Sequence, residues 1–240
     1  MRKRRTERAE TIRRVQVYGQ RCSGTNALIS LIEANFPSLQ FTEEFGFKHW
    51  FVPDCTDIPA DVMVIAVARE ASDWLQSLFR NPWHAHPDLK AMSFADFIRA
   101  EWNSVWDTHF WGIDADHPLH GRPIAEELCP KTGERFGNVL LKRRAKLENW
   151  RSAAQRAGAS FLVSHSRVVG DQKGLVADIA RAAGISPPAQ FTPVASYKGQ
   201  NNRPFIPSRY PELEPEDRDF VLNHVDPELE RAFGLFPAVA

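Results

Sequence analysis

Residues 15–28 read Val-Gln-Val-Tyr-Gly-Gln-Arg-Cys-Ser-Gly-Thr-Asn-Ala-Leu: a β-branched run, a turn of glycine and small polar residues, then the start of an amphipathic pattern. That order predicts a strand, a tight turn and a helix. It leaves the N–H groups of the turn and of the first helical turn without intrachain acceptors. Such groups form an anion cradle, and Gly19 and Gly24 let the backbone come close to a ligand. A nucleoside-triphosphate loop needs Gly-x-x-x-x-Gly-Lys-Ser/Thr. Here Thr25 and Asn26 follow Gly24, so the lysine that reaches the outer phosphates is missing.

A second element with its own logic begins at Val62. The run Val62-Met63-Val64-Ile65-Ala66-Val67-Ala68 is wholly apolar, as a parallel strand covered on both faces requires. Arg69 follows it, with Asp73 four residues on and Ser77 eight residues on. An arginine at a strand's end and a serine about two turns along the next helix converge on one anion, at roughly 1.5 Å of rise per residue. The guanidinium supplies paired, charge-assisted contacts that a point charge does not. A surface ion pair with Asp73 is the plainer alternative.

Together these segments resemble the sulfotransferase family. Arg21-Cys22-Ser23-Gly24-Thr25-Asn26 is similar to that family's donor loop, usually Pro-Lys/Arg-Ser-Gly-Thr-Thr, which holds the 5′-phosphosulfate of 3′-phosphoadenosine-5′-phosphosulfate (PAPS). Arg69 to Ser77 resembles its Arg-Asn-Pro-x-Asp-x-x-x-Ser element, in which the arginine and serine bind the 3′-phosphate. Gly46-Phe47-Lys48-His49-Trp50 resembles its Lys-Thr-His segment without the middle residue, and His49 stands 20 residues before Arg69. By resemblance His49 is the base for the acceptor and Lys48 or Arg21 stabilises charge on the transferred group. One step along a strand reverses the face, so Lys48 and His49 cannot both inherit their roles in a strand, and Glu43 and Glu44 are alternative bases. Ser196-Tyr197-Lys198-Gly199 resembles the late Arg-Lys-Gly loop over the adenosine and 3′-phosphate, with Tyr197 in the arginine's place and Arg203 a possible substitute. Cys22 replaces the usual cation before Ser-Gly-Thr. It is either a reactive thiol beside cations or a small space-filling residue.

The resemblance implies a single α/β domain with a mainly parallel sheet flanked by helices, in the P-loop-like sulfotransferase architecture. It implies PAPS as co-substrate, released as 3′-phosphoadenosine-5′-phosphate (PAP), and a small-molecule or carbohydrate acceptor carrying a hydroxyl or amine. The implied donor site is Arg21, Cys22, Ser23, Gly24, Thr25, Asn26, Arg69, Ser77, Lys198 and Gly199, with no metal. Two alternatives are a noncatalytic nucleotide binder of the same descent, which Cys22 and Tyr197 favour, and a nucleotide kinase or NTPase, which the missing lysine disfavours.

Of 240 residues 43% are hydrophobic, enough for one substantial core, read as a domain over 15–240 behind a disordered basic tail over 1–14. Thirty basic residues balance thirty acidic ones, so no global field recruits nucleic acid or an anionic membrane. The three cysteines are widely spaced, which argues against a disulfide framework or a metal site. No apolar segment approaches the roughly 20 residues of a membrane span, and no secretion signal follows the basic start, so a cytoplasmic protein is expected.

The periodicity predicts strands at 15–19, near 45–49, 62–68, 138–142 and 161–164, with helices over 24–35, 72–80, 93–112, 145–157 and 172–183. Residues 113–137 read as an irregular excursion, and helices close the chain over 213–236. Alternating strand and helix places ligands beyond the strands' carboxyl ends. Trp83, His84, His86, Trp102, Trp106, His109 and Trp111 are candidates for an acceptor pocket wall, or for ordinary core.

Overall fold

The computed structural model describes residues 11–197, 203–204, 206 and 208–235. Four parallel strands make the sheet: β1 (Arg14–Gly19), β2 (Gln40–Thr42), β3 (Val62–Ala68) and β4 (Ala159–Ser164), in the order β2-β1-β3-β4. The helices are α1 (Thr25–Asn35), α2 (Ala71–Arg80), α3 (Pro87–Lys90), α4 (Phe94–Arg99), α5 (Val139–Arg156), α6 (His165–Gly170), α7 (Gln172–Ala183), α8 (Pro215–His224) and α9 (Pro227–Ala232). A 3₁₀ turn spans Ala125–Glu127, and β5 (Ser196–Tyr197) pairs antiparallel with β6 (Arg203–Pro204). The architecture is therefore α/β, a parallel sheet between helical layers. No helix among the described residues is long and apolar enough to cross a membrane.

Every residue of β3 is buried, and its side chains divide by the period of two. Met63, Ile65 and Val67 join Val15 and Val17 against α1 and α7. Val62, Val64, Ala66 and Ala68 join Tyr18 against Leu147, Trp150 and Ala153 of α5. Burying a side chain of this size contributes about 1.5–3 kcal/mol, so these two faces dominate stability. A third cluster packs α2 against α4 and the start of α5.

The chain leaves β1 through α1 to reach β2 on one side, then places β3 and β4 on the other. This makes the carboxyl ends of β1 and β3 the switch point where such sheets open a crevice. Register aligns that edge: Gly19 is opposite Val67, and Ala68 is opposite Ser164. The residues that follow these strands, the 20–24 turn, Arg69 and His165, thus meet at one rim.

Three expected elements differ. Residues 45–49 form turns, and the short strand lies earlier, at β2. Gly46 has a positive φ of 107°, and side chains of β1 capture the segment's backbone: Tyr18 donates to Phe45 O at 2.7 Å and Gln16 to Gly46 O at 3.2 Å. The 93–112 helix stops at Arg99, because the backbone turns extended at Ala100 and the Trp102 N–H donates to Phe136 O at 2.8 Å. Residues 138–142 open α5 and are not a strand. Asn138 caps the helix by accepting the Leu141 N–H at 2.9 Å, and the apolar Val139-Leu140-Leu141 run fits either period until that cap is seen.

Candidate functional site

The turn after β1 is locked from within. The Ser23 hydroxyl donates to Gln20 O at 2.6 Å, and the Ser23 N–H points to the same oxygen at 3.2 Å. Cys22 and Gly24 are both left-handed, with φ of 65° and 88°, which turns successive N–H groups toward one side as an anion-binding nest. No side chain caps α1. Among the described residues the N–H groups of Arg21, Cys22, Gly24, Thr25 and Asn26 meet no acceptor. The neighbouring helix α2 behaves oppositely, since the Glu70 carboxylate accepts the Ser72 and Asp73 N–H groups at 3.0 and 2.9 Å. One helix at this rim is closed by its own carboxylate and the other is open.

Two glycines are dictated by space. A Cβ on Gly19 would lie 2.7 Å from Thr25 Cγ2 and Val67 Cγ1, and one on Gly24 would lie 2.7 Å from His165 Cδ2. His165, at the end of β4, therefore forms the floor under Gly24. Burial and the neighbouring Arg69 push its pKa down to about 4, so it is neutral.

Lys48 and His49 both reach the cradle. Lys48 Nζ donates to Asn26 Oδ1 at 2.8 Å in the first turn of α1, and His49 Nδ1 lies 2.6 Å from Gly19 O. The Gly19 N–H donates to Lys48 O at 3.0 Å. Alternation of faces does not apply because the segment is a turn, which removes the expected conflict between the two residues. Since a carbonyl only accepts, Nδ1 of His49 carries the proton and Nε2 holds the lone pair. Burial, then the charge of Arg21, holds the ring neutral by lowering its pKa well below the usual value. Glu44 pairs with Arg14 at 2.6 Å, at the opposite end of β1.

Arg69 is on the other side of the turn. It is buried, its Nη1 lies 3.4 Å from Cys22 O, its Nη2 is 3.6 Å from Asp73, and its Nε meets no acceptor. Arg143 holds its backbone by donating to Arg69 O at 2.9 Å. The Tyr210 ring lies 5.2 Å from its guanidinium. Ser77 is buried on α2, and its backbone carbonyl accepts the Cys22 thiol at 3.8 Å. Cys22 is thus turned into the α2 interface, and burial pushes its thiol pKa up, so it fills space and is no reactive thiolate.

Arg21 departs from expectation. Its backbone is in the turn, but its guanidinium donates to Glu127 at 2.7 Å, away from the open N–H groups, and Trp74 Nε1 donates to its carbonyl at 2.9 Å. Lys198 and Gly199 lie outside the described residues, between β5 and β6.

Of the residues considered for an acceptor wall or ordinary core, His84 and Trp106 join a chain of ring contacts with Phe47, Trp50 and Phe110. Phe47 packs on His49 with centroids 5.1 Å apart and on Trp50 at 5.5 Å. From there Trp50 leads to Trp106 at 6.1 Å, Trp106 to Phe110 at 4.6 Å and Phe110 to His84 at 3.8 Å. Trp83 packs on His109 at 4.8 Å, and His84 bonds Asp107 at 2.7 Å. Trp102 instead packs into the core against Phe97, Trp111 is fully exposed, and His86 caps α3. Among the described residues no cluster of His, Cys, Asp or Glu could hold a metal.

Sequence reasoning missed His165, Tyr210 and the inward cations of α5, Lys142, Arg143 and Lys146. His165 had a usable signal, a histidine at a strand end on the ligand edge. The α5 cations had one too, a helical spacing hidden while 138–142 read as a strand. Compared with known proteins, the chain has no significant match to a family model, to a curated protein or to a solved structure.

Proposed function

We propose that this chain is a PAPS-dependent sulfotransferase of P-loop-like architecture, acting on a hydroxyl or amine of a small-molecule or carbohydrate acceptor. The observation that carries this reading is the contact of Arg69 with the turn, Nη1 at 3.4 Å from Cys22 O, beside five open N–H groups. An open cradle next to a buried guanidinium whose Nε lacks an acceptor fits a nucleotide with anionic groups at two positions. The open N–H groups of Gly24, Thr25 and Asn26 would take the 5′ end, with Arg69 and Ser77 on the 3′-phosphate. The nucleotide supplies the sulfuryl group when bound.

Sulfuryl transfer resembles phosphoryl transfer in resting on in-line positioning and charge stabilisation. Lys48, anchored on Asn26, supplies the positive charge at the transfer side of the cradle, a role the resemblance shared with Arg21. His49 Nε2, with Nδ1–H fixed on Gly19 O, takes the proton of the acceptor hydroxyl. The aromatic wall from Phe47 to Phe110 starts at that imidazole and suits a sugar ring or a phenol.

Calorimetry with PAP and with adenosine 5′-phosphate tests the assignment. Arg69→Ala is expected to weaken PAP by about 1.5–3 kcal/mol, the scale of a charged hydrogen bond, and to leave adenosine 5′-phosphate nearly unchanged. Equal weakening of both refutes the 3′-phosphate role, and absence of PAP binding by the unaltered protein refutes the reading. A noncatalytic nucleotide binder is favoured by one observation, the turning of Arg21 toward Glu127. PAP binding with no PAP released from PAPS across a panel of phenol, sugar and amine acceptors would establish it.

A further inference from the structure

Behind the turn lies a small cavity of about 30 Å³, lined by Gln20, Arg21, Glu127, Lys142, Arg143 and Lys146 between apolar walls. Three cations converge there on one carboxylate. Arg21 Nη1 is 2.7 Å and Lys146 Nζ 2.9 Å from Glu127 Oε1, and Lys142 Nζ contacts Oε2. Glu127 is 3% exposed, Lys146 3% and Lys142 6%, so water screens these charges little. Arg143 adds no imbalance because Glu230 pairs with it.

The donors outnumber the acceptors. Arg21 Nε and Nη2, Gln20 Nε2 and Arg143 Nε are buried and meet no acceptor, against which stands the equally unpaired acceptor Gln20 Oε1. Lys142 is pushed down to about 8 and Lys146 well below its ordinary value, by burial opposed by Glu127. Even with Lys146 neutral, Arg21 and Lys142 face a single carboxylate, leaving one positive charge. Water would satisfy a donor or two but would not cancel that charge.

We infer that this cavity is a binding site for a small monoanion, held by Arg21, Lys142 and Gln20. It is separate from the cradle of N–H groups and does not depend on the donor proposal. Its ligand is either a free inorganic ion or the carboxylate of a small organic acid, the two sharing one charge and acceptor-only chemistry.

Thermal unfolding and calorimetry at constant ionic strength, with sodium gluconate replaced stepwise by bromide, acetate or benzoate, test this. A saturable rise in Tm with bromide and acetate alike supports a free-anion site, and a rise with benzoate at markedly lower concentration supports the carboxylate of an organic acid. Lys142→Met is expected to raise the Kd at least about tenfold, the scale of one lost charged hydrogen bond. Arg69→Ala, which alters the cradle, is expected to leave it unchanged. In case Lys142→Met does not fold, crystals of the unaltered protein soaked in bromide are expected to show anomalous scattering between Arg21 and Lys142. An indifferent Tm, a bromide response lost in Arg69→Ala, or bromide found only at the 21–26 turn overturns the inference.

Discussion

Replacing Glu127 with Gln keeps the side chain's size and removes the carboxylate on which Arg21, Lys142 and Lys146 converge. Their nitrogens lie at 2.7 Å for Arg21 and 2.9 Å for Lys146, with Lys142 also in contact, and the Ser104 hydroxyl donates to the same carboxylate at 3.2 Å. Although burial alone would raise the Glu127 pKa, Arg21 and the two lysines hold it well below the usual carboxylate value. Stranding a buried charge by removing its partner costs about 3–5 kcal/mol. The lysines limit that loss by releasing protons, Lys142 being already down at about 8 and Lys146 well below its ordinary value. Arg21 has no such escape. The expected loss is therefore about 3 kcal/mol, a large part of the 5–15 kcal/mol typical of a domain. Urea unfolding followed by circular dichroism at pH 7 should show a midpoint lowered by about 1 M, for a slope near 3 kcal/mol per M. A second substitution, Arg21→Met, should restore at least about 1 kcal/mol by removing the stranded cation that cannot release a proton. A loss under about 1 kcal/mol, or simple additivity in the double variant, would refute the electrostatic account.

Further outcomes follow from the same geometry. His49→Ala should lower sulfuryl transfer about 100- to 10,000-fold, the usual range for a lost general base, while PAP binding by calorimetry persists; near-normal turnover excludes His49 as the base. Burial, with Arg21 for His84 and Arg69 for His165, lowers both imidazole pKa values to about 4. Because the folded values lie below the unfolded 6.5, the unfolded chain takes up protons first. The stability held by the neutral rings is complete above about pH 6.5 and lost as pH falls toward 4, up to about 3 kcal/mol each. Urea midpoints between pH 7 and 4.5 should fall accordingly, less steeply in His165→Asn, and a flat profile contradicts this. Gly19→Ala drives a methyl to 2.7 Å from Thr25 and Val67. It should cost about 1–3 kcal/mol in thermal unfolding and weaken PAP, whereas an unchanged Tm shows that the turn yields.

Elements whose signal is local were legible in the chain. The all-apolar 62–68 run, the glycine-bounded turn before α1 and the helix over 172–183 carry their periods and punctuation in adjacent residues. The structure places them at β3, the turn and α7. Residues 45–49, Phe-Gly-Phe-Lys-His, alternate as a strand would, and the short apolar stretch in 138–142 fits two periods, so both were misread. What decides between them comes from elsewhere: capture by β1 side chains in one case, the Asn138 cap and packing of α5 in the other.

The strand, the tight turn and the open helix start, with arginine at the end of the next buried strand, follow from the order of residues alone. Backbone geometry and period-two burial act over a few positions. Which cation faces the cradle was decided only in the tertiary structure. Arg21 turns to a carboxylate 106 residues away and Lys48 to an amide 22 residues away. A long charged side chain goes where distant charge and burial place it, and no local pattern encodes that direction.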